Sequence, residues 1–311
     1  MKVHAWMLLA CLATGAAQGA DLFLEDRKLR PIAQGDALVP TDTVGGYAFY
    51  PGEGKWKFTE GKADMVLGPT TFWMGNAAMS HKEGNNTIAY QYLSANLNRS
   101  NDSPGWHSGP CTVERVVKKV VRFGNTESCL TVDVNANQSG ALFFWVTVTN
   151  TAAAGRYFQH RLAFVADFLG HRGTSTNDWS PASLQANPRR KEFIDKMTAW
   201  ADKLQAASVK AFEAGQAGDF YKDVPSYLTL LPVPEDLRGG DFSFSFLGAV
   251  EDLKNREGFK AIAYSKTSPG VTRWANSVGQ PTQGDADKQA VDVCERERVA
   301  SRPPCALYRP K

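Results

Sequence analysis

Short runs of aromatic and β-branched residues, separated by glycine- and proline-rich turns, fill residues 21–176. Residues 55–59 alternate polar and apolar side chains, as a strand with one buried face does. Residues 87–96 and 141–149 continue the pattern, and residues 156–168 could form one long strand. The shorter runs are 46–50, 70–74 and 130–134. Strands at this spacing predict an α+β protein whose body is an antiparallel β-rich sandwich or barrel-like structure.

Residues 113–123 carry two conflicting signals. The apolar positions recur at the three- and four-residue steps of an amphipathic helix. They are all valines, however, and β-branched residues have low helix propensity, which favours a strand. The valines are Val113, Val116, Val117, Val120 and Val121. We give slightly more weight to the period and expect a helix, with a strand as the alternative.

A long helix is predicted over residues 188–214. Asn187 can cap its free N–H groups, and Pro188 suits the first helical position. Gly215 can end it in a left-handed conformation. One apolar stripe runs along it, formed by Phe193, Met197, Trp200, Leu204 and Ala211. We expect this stripe to pack on the β-rich part, so that residues 21–237 share one core.

The chain after this helix reads as a connector followed by a small unit. Residues 219–241 contain three prolines and then Gly239 and Gly240, which favour extended and irregular backbone. We predict a linker at residues 238–258 and a small C-terminal module at residues 259–311.

The N-terminal residues 1–20 have the order of a secretory signal peptide. Lys2 is followed by a short apolar run at residues 5–13 and then by small residues. Ala17 and Gly19 suit the −3 and −1 positions of a cut after Gly19. The sequence therefore predicts a bacterial protein that is periplasmic or secreted. No later stretch is long and apolar enough to predict a transmembrane segment.

Removal of Cys11 with the leader leaves four cysteines, an even number that indicates disulfides in an oxidising compartment. Four cysteines allow three pairings, and proximity along the chain favours Cys111 with Cys129 and Cys294 with Cys305. Neither the cysteines nor the histidines show the spacing of metal ligands, so we predict no metal and no cofactor.

The C-terminal module has a predicted β-β-α-β order. Residues 259–265 and 271–275 read as strands, residues 284–296 as a helix, and residues 305–308 as a closing strand. A bridge from Cys294 to Cys305 would clamp a unit too small to bury much apolar surface.

This tail resembles a small module of unknown function found in secreted bacterial proteins. The matching residues are the strand Ala261-Ile262-Ala263, then Trp274, Ala275 and Ser277, the alanine-spaced helix with Ala286, Ala290 and Cys294, and the end with Pro304, Cys305, Leu307 and Tyr308. The resemblance implies a β-β-α-β fold with one disulfide, and it implies no catalytic residue.

Recognised catalytic motifs are absent from the sequence. His81 and Glu83 would face the same side of a strand and could form an acid–base pair, with surface residues in a turn as the ordinary alternative. Two further sets of residues remain as low-specificity candidates for ligand binding. Trp106 and His107 could place an aromatic platform beside an imidazole, close to Cys111. Asp167, His171 and Asp178 could place carboxylates around an imidazole. The ordinary alternatives are a loop anchor for the first set and surface polar residues for the second.

The charge balance and the missing motifs limit the classes of function that the sequence predicts. The chain has 35 basic and 32 acidic residues, and loss of Lys2 lowers the formal net charge from +3 to +2. This balance predicts no nucleic-acid partner. We expect a non-catalytic binding or interaction protein of the cell envelope, with an unidentified envelope partner or ligand. The alternative is an envelope glycan or peptide hydrolase that uses carboxylates of the β-rich part, first among them Asp167 and Asp178.

Overall fold

The structure is a computed structural model that describes residues 20–310 except 53–54, 68–70, 99–110, 112–114, 154, 232, 238–241 and 269–270. Its strands are β1 (Thr43–Val44), β2 (Tyr47–Ala48), β3 (Lys57–Val66), β4 (Phe72–Glu83), β5 (Asn86–Asn96), β6 (Val117–Phe123), β7 (Thr126–Ala136), β8 (Leu142–Ala152), β9 (Arg156–Val165), β10 (Phe259–Ser268), β11 (Val271–Gln280) and β12 (Ala306–Tyr308). Its α-helices are α1 (Pro181–Ala186), α2 (Pro188–Ala214), α3 (Phe244–Lys254) and α4 (Gln283–Glu297). Short 3₁₀ turns cover Ala166–Leu169, Thr176–Trp179, Tyr227–Leu230 and Glu235–Leu237.

One seven-stranded antiparallel sheet, in the order β3-β4-β5-β9-β8-β7-β6, forms the body. Consecutive hairpins connect β3, β4 and β5, and a second series of hairpins connects β6, β7, β8 and β9. The two sets of strands meet where β5 pairs with β9. With the long helix and the small C-terminal sheet, this arrangement confirms the α+β class.

The main core lies between one face of the sheet and α2. Strand alternation directs Phe144, Val146 and Val148 of β8 inward, where each is fully buried. The predicted stripe of α2 covers this inner face, and Met197, Leu204 and Ala211 of the stripe are all fully buried.

The predicted ends of α2 are also confirmed. The Asn187 side chain accepts a hydrogen bond from the Arg190 N–H, and Pro188 is the first helical residue. Gly215 ends the helix with φ 61°, a left-handed conformation that glycine adopts without strain.

The expectation of a helix at residues 113–123 is wrong, because residues 117–123 form β6. This strand pairs with β7 at the edge of the sheet, and most of its side chains are exposed. An edge strand that faces water on both sides does not need an alternating pattern. The helical spacing of its valines therefore has no structural consequence, and their strand propensity prevails.

A buried helix, α3, occupies part of the segment at residues 238–258. Gly248 lets the helix backbone approach the 3₁₀ turn Ala166–Leu169, because an added Cβ would lie 2.6 Å from the Asp167 carbonyl oxygen. The other side of α3 shares a cluster with the C-terminal sheet that includes Leu253 and Ile262. This helix therefore contacts both parts of the chain, while the division into two units stays a prediction.

The C-terminal module has the predicted β-β-α-β order, with a three-stranded sheet β11-β10-β12 covered by α4. Small residues let the helix lie close to the sheet: Ala286 and Ala290 of α4 face Ala261 and Ala263 of β10, and all four are fully buried.

Both predicted cysteine pairs are present. Cys111 pairs with Cys129 at a Cα–Cα distance of 5.9 Å, and Cys294 pairs with Cys305 at 6.2 Å. None of the helices in the described part of the chain is both long and apolar enough to cross a membrane. The two cysteine pairs are consistent with an extracellular or periplasmic protein.

Candidate functional site

The face of the large sheet that points away from α2 carries a row of aromatic side chains. In β5 the inward residues Gln91 and Leu93 alternate with Tyr90 and Tyr92, which point outward. In β8 the same alternation turns Phe143 and Trp145 outward. Arg161 of β9 lies opposite Tyr92. We call the set Tyr90, Tyr92, Phe143, Trp145 and Arg161 the aromatic face.

The strand register brings these rings together. Ala163 of β9 pairs with Tyr90 on one side and with Trp145 on the other, so a small side chain lies between two large ones. The ring centroids of Tyr92 and Trp145 are 5.9 Å apart, with an angle of 28° between the ring planes. Tyr90 and Tyr92 are 6.2 Å apart at 20°. Three rings on β5 and β8, the two strands that flank β9, therefore form a nearly parallel group.

A guanidinium group lies beside this group of rings. The Arg161 guanidinium carbon is 4.0 Å from the centroid of the Trp145 ring, which is cation–π geometry. Burial raises the pKa of the Tyr92 hydroxyl, and the nearby Tyr90 raises it further. At neutral pH, Tyr92 therefore keeps its proton and can both donate and accept a hydrogen bond.

An open depression of about 580 Å³ lies over the aromatic face, and polar residues border it. Asn135 donates from Nδ2 to the Asp133 carboxylate at 3.0 Å, and the Arg115 guanidinium donates to the same carboxylate. The edge of the depression therefore presents side-chain amide groups, and next to them lies the Asp133 carboxylate, whose charge is neutralised by Arg115. A ligand on the rings could therefore make directional hydrogen bonds at its edge.

Tyr92 also borders a second depression, of about 190 Å³, between β3, β4 and β5. Its polar groups include Asn76 and Ser94, and the Ser94 hydroxyl donates to Asn76 Oδ1 at 2.7 Å. Glu60 and Lys62 border the other side. The two depressions share Tyr92, so together they form a shallow, extended surface across six strands.

The predicted candidates Asp167, His171 and Asp178 do not form a carboxylate–imidazole pair in the described structure. Asp167 pairs with Arg172 at 3.2 Å, and Asp178 pairs with Arg190 at 2.7 Å. Backbone and side-chain hydrogen bonds from Ser175 hold the pKa of Asp178 below its ordinary value, and the Arg190 charge adds to this effect. An ionised carboxylate of this kind is poorly suited to act as a general acid.

His171 lies within an aromatic cluster. Its ring centroid is 4.3 Å from that of Phe193 and 4.8 Å from that of Trp179. Burial lowers its pKa to about 3, and the nearby Arg190 charge contributes. Its Nε2 atom is buried and has no hydrogen-bond partner among the residues that the structure describes. This imidazole is neutral at physiological pH and serves mainly as a packed ring.

A cavity of about 550 Å³ lies beside His171, between the start of α2 and the end of α3. Its charges largely neutralise one another: Arg190 pairs with Asp178, and Lys254 lies 3.5 Å from Glu251. No group of three or more His, Cys, Asp or Glu side chains that could hold a metal ion occurs in the described ranges. This cavity offers less recognition chemistry than the aromatic face.

Trp106 and His107 lie outside the described residues. Cys111, a few positions later, is described and is bonded to Cys129 of β7. Cys129 points to the same side of the sheet as Asp133 and Trp145, since strand residues four apart share a face. The disulfide therefore fixes the chain at Cys111 to the side of the sheet that carries the aromatic face.

The residues of the aromatic face were missed in the sequence. The available signal was the alternation in β5, where Tyr90, Tyr92 and Ser94 share one side and Ala89, Gln91 and Leu93 share the other. Residues 142–146 of β8 are apolar throughout, so periodicity alone does not show which of them lie on the surface.

Comparison with known protein families, curated proteins and solved structures found no match to this chain. The resemblance of residues 259–311 to a module of secreted bacterial proteins therefore stays a prediction. Functional inference rests on the site itself.

Proposed function

We propose that this chain is a secreted or periplasmic binding protein that holds an envelope carbohydrate on the aromatic face. The observation that carries the proposal is the nearly parallel group of Tyr90, Tyr92 and Trp145 on an open sheet surface. The flat, weakly polar C–H faces of a sugar ring match the face of an aromatic ring, while its hydroxyl groups need polar partners at the edge.

The shape of the surface favours a chain of sugars over a small enclosed ligand. The depressions of about 580 and 190 Å³ are both open and meet at Tyr92. Asn135 and Asp133 lie at one end and Asn76 and Ser94 at the other. An oligosaccharide that stacks on Trp145 and Tyr92 could reach polar groups at both ends.

Charge argues against a nucleic-acid strand on the same rings. Single-stranded nucleic acid also stacks on aromatic side chains, but it needs a basic groove along its backbone. Around the aromatic face, Arg115 is neutralised by Asp133, and Glu60 lies beside Lys62. Arg161 alone does not form such a groove, so an uncharged or weakly charged sugar is the better match.

The test is titration calorimetry of the exported, disulfide-bonded protein with soluble glycan fragments of the cell envelope and with neutral glucans. We expect Tyr92→Ala and Trp145→Ala each to weaken binding of the recognised glycan at least tenfold, or about 1.4 kcal/mol. Phe259→Ala is the matched control, because Phe259 is a similarly exposed aromatic residue in β10.

Three results would overturn this proposal. The first is absence of binding to every glycan by a protein whose circular dichroism shows it to be folded. The second is unchanged binding by both aromatic variants. The third is cleavage of the bound oligosaccharide, detected by mass spectrometry, which would support the hydrolase alternative instead.

A further inference from the structure

The first described residue lies against a buried carboxylate. Asp42 is 1% exposed. It accepts two hydrogen bonds from the Arg30 guanidinium, at 3.0 and 2.9 Å, and one from the Val39 N–H at 2.9 Å. Its remaining described donor is the backbone nitrogen of Ala20, 3.1 Å from Oδ1.

The position of Ala20 is fixed by its neighbours as well as by Asp42. The Ala20 carbonyl oxygen accepts hydrogen bonds from the Thr43 N–H at 3.3 Å and from Arg30 at 3.4 Å. The next residues continue this pairing, since the Leu22 N–H donates to the Thr43 carbonyl at 2.9 Å. The Ala20 nitrogen is therefore held at the carboxylate by the fold and not only by its own hydrogen bond.

The small residues Ala17 and Gly19 predict leader cleavage between Gly19 and Ala20. Cleavage there would replace the Ala20 amide N–H with an ammonium group. We propose that Ala20 is the mature N-terminus and that its ammonium group forms an ion pair with Asp42. This processing site rests on export of the chain and is independent of the proposed carbohydrate ligand.

The charges around the pair favour this change. Asp42, which is itself buried, would then face two cations, Arg30 and the Ala20 ammonium, and the exposed position of Ala20 leaves its ammonium group in contact with water. Asp21, the next residue along the chain, accepts hydrogen bonds from the N–H groups of Gly45 and Gly46. A charged donor to a carboxylate gives a stronger hydrogen bond than a neutral amide does. Removal of the leader would therefore complete the site and stabilise the folded mature protein more than its precursor.

The position of the cut also matters. Cleavage one residue later, after Ala20, would remove the donor at 3.1 Å from Asp42. Cleavage earlier would leave a neutral amide in its place. Only a chain that begins at Ala20 places a primary ammonium group at Asp42.

The first measurement is Edman sequencing or intact mass of the exported protein, which should begin at Ala20. A chain that begins at Asp21 or at an earlier residue would overturn the proposal. This measurement does not depend on any ligand, so failure of carbohydrate binding leaves it unaffected.

The second measurement compares two disulfide-bonded proteins that both begin at Ala20, one with a free amine and one with an Nα-acetyl group. The acetylated protein keeps the Ala20 N–H but lacks the charge. We expect the free-amine protein to melt about 2 °C higher at pH 7, the shift that about 1 kcal/mol produces in a chain of about 290 residues.

The pH dependence has a defined sign. An α-amine ordinarily has a pKa near 7.7–8.0. An ion pair with Asp42 raises its pKa in the folded state, so the added stability is fully present below about pH 8. It is lost as the pH rises through the raised value. The difference in melting temperature between the two proteins should therefore disappear once the pH exceeds that raised pKa.

The Asp42→Asn variant supplies the double-mutant control. Acetylation of Ala20 should not change its melting temperature, because the carboxylate partner of the ammonium group is missing. If that variant does not fold because Arg30 loses its partner, nitrogen-15 NMR of the native protein still measures the pKa of the Ala20 amine directly. An amine pKa within 7.7–8.0, together with equal melting temperatures at pH 7, would overturn the proposal.

Discussion

Two histidines illustrate how burial decides what a residue can do. His160 is fully buried between the sheet and α2, where its Nε2 lies 2.5 Å from the Gln91 side-chain nitrogen. His171 lies among the rings of Phe193 and Trp179. Burial lowers the pKa of each to about 3. Both imidazoles are therefore neutral in the folded protein, and the sequence-based hypothesis of His171 as a base in a carboxylate cluster has no geometric support.

These low pKa values predict acid sensitivity. An unfolded imidazole has a pKa near 6.5, so between about pH 6.5 and pH 3 the unfolded chain binds protons that the folded chain does not. The free energy of unfolding should fall with decreasing pH over this range, by up to about 1.4 kcal/mol per pH unit for each histidine. His171→Phe should reduce this slope, as measured by urea unfolding at pH 7, 6 and 5. An unchanged slope would mean that His171 titrates normally in the folded state.

Helix α2 shows how far an element can be predicted from its residues. Its cap, its first proline, its stripe and its terminal glycine each act locally, so the sequence alone predicts the element. Edge strand β6 could not be predicted in this way, because its mostly exposed side chains leave no alternating signal that would distinguish a strand from a helix. The aromatic face has a similar origin, since it exists only when β5, β9 and β8 lie side by side.

Trp200 of the α2 stripe makes a side-chain hydrogen bond as well as ring contacts. Its indole N–H donates to the Pro225 carbonyl at 2.9 Å, and its ring makes edge contacts with Tyr50 and Phe164 at 5.8 and 5.7 Å. Trp200→Ala should reduce the free energy of unfolding by about 3–5 kcal/mol, the range for a large buried aromatic residue. Glu213→Ala, near the exposed end of the same helix, is the control and should change it little. A loss below about 1 kcal/mol would mean that the stripe is not the core contact described above.

Gly248 predicts the cost of disturbing the contact between α3 and the body. An added methyl group would lie 2.6 Å from the Asp167 carbonyl oxygen and 2.9 Å from the Phe168 carbonyl oxygen, both of which are backbone atoms. Gly248→Ala should therefore destabilise the protein by about 1–3 kcal/mol, although alanine favours helix. Gly284→Ala in α4 is the matched control, since its nearest neighbour is Thr282 Oγ1 at 3.7 Å. Thermal melting of both variants tests this, and equal melting temperatures would contradict it.

At the scale of the whole molecule, α3 links two parts of unequal size. The body stabilises the N-terminus of α3, because the Glu83 carboxylate accepts hydrogen bonds from the Phe244 N–H at 2.7 Å and from the Ser245 N–H at 3.3 Å. The other side of α3 contacts the C-terminal sheet. The Cys294–Cys305 bridge closes the small module beyond it, and the large sheet has an extensive core of its own.

Removal of the C-terminal bridge should therefore loosen only the module. In the double variant Cys294→Ser/Cys305→Ser, we expect limited proteolysis of the exported protein to digest the tail and to leave a resistant fragment that ends near the end of α3. The physical reason is that a short unit with little core needs its cross-link, whereas the body does not. Digestion of the entire chain without a resistant fragment would show that module and body share one cooperative core.

The pairing of β5 with β9 has a consequence for how the chain reaches this structure. These two central strands lie roughly 65 residues apart along the chain, whereas the other neighbours in the large sheet are consecutive hairpins. The two sets of hairpins can form early from local contacts, but the β5–β9 seam must wait until the longer loop closes. Until then β5 and β9 are both exposed edges rich in large side chains, and such edges invite pairing with other chains. The rate at which β5 pairs with β9, more than the free energy of unfolding of the finished structure, should therefore determine what fraction of newly made protein folds before it aggregates.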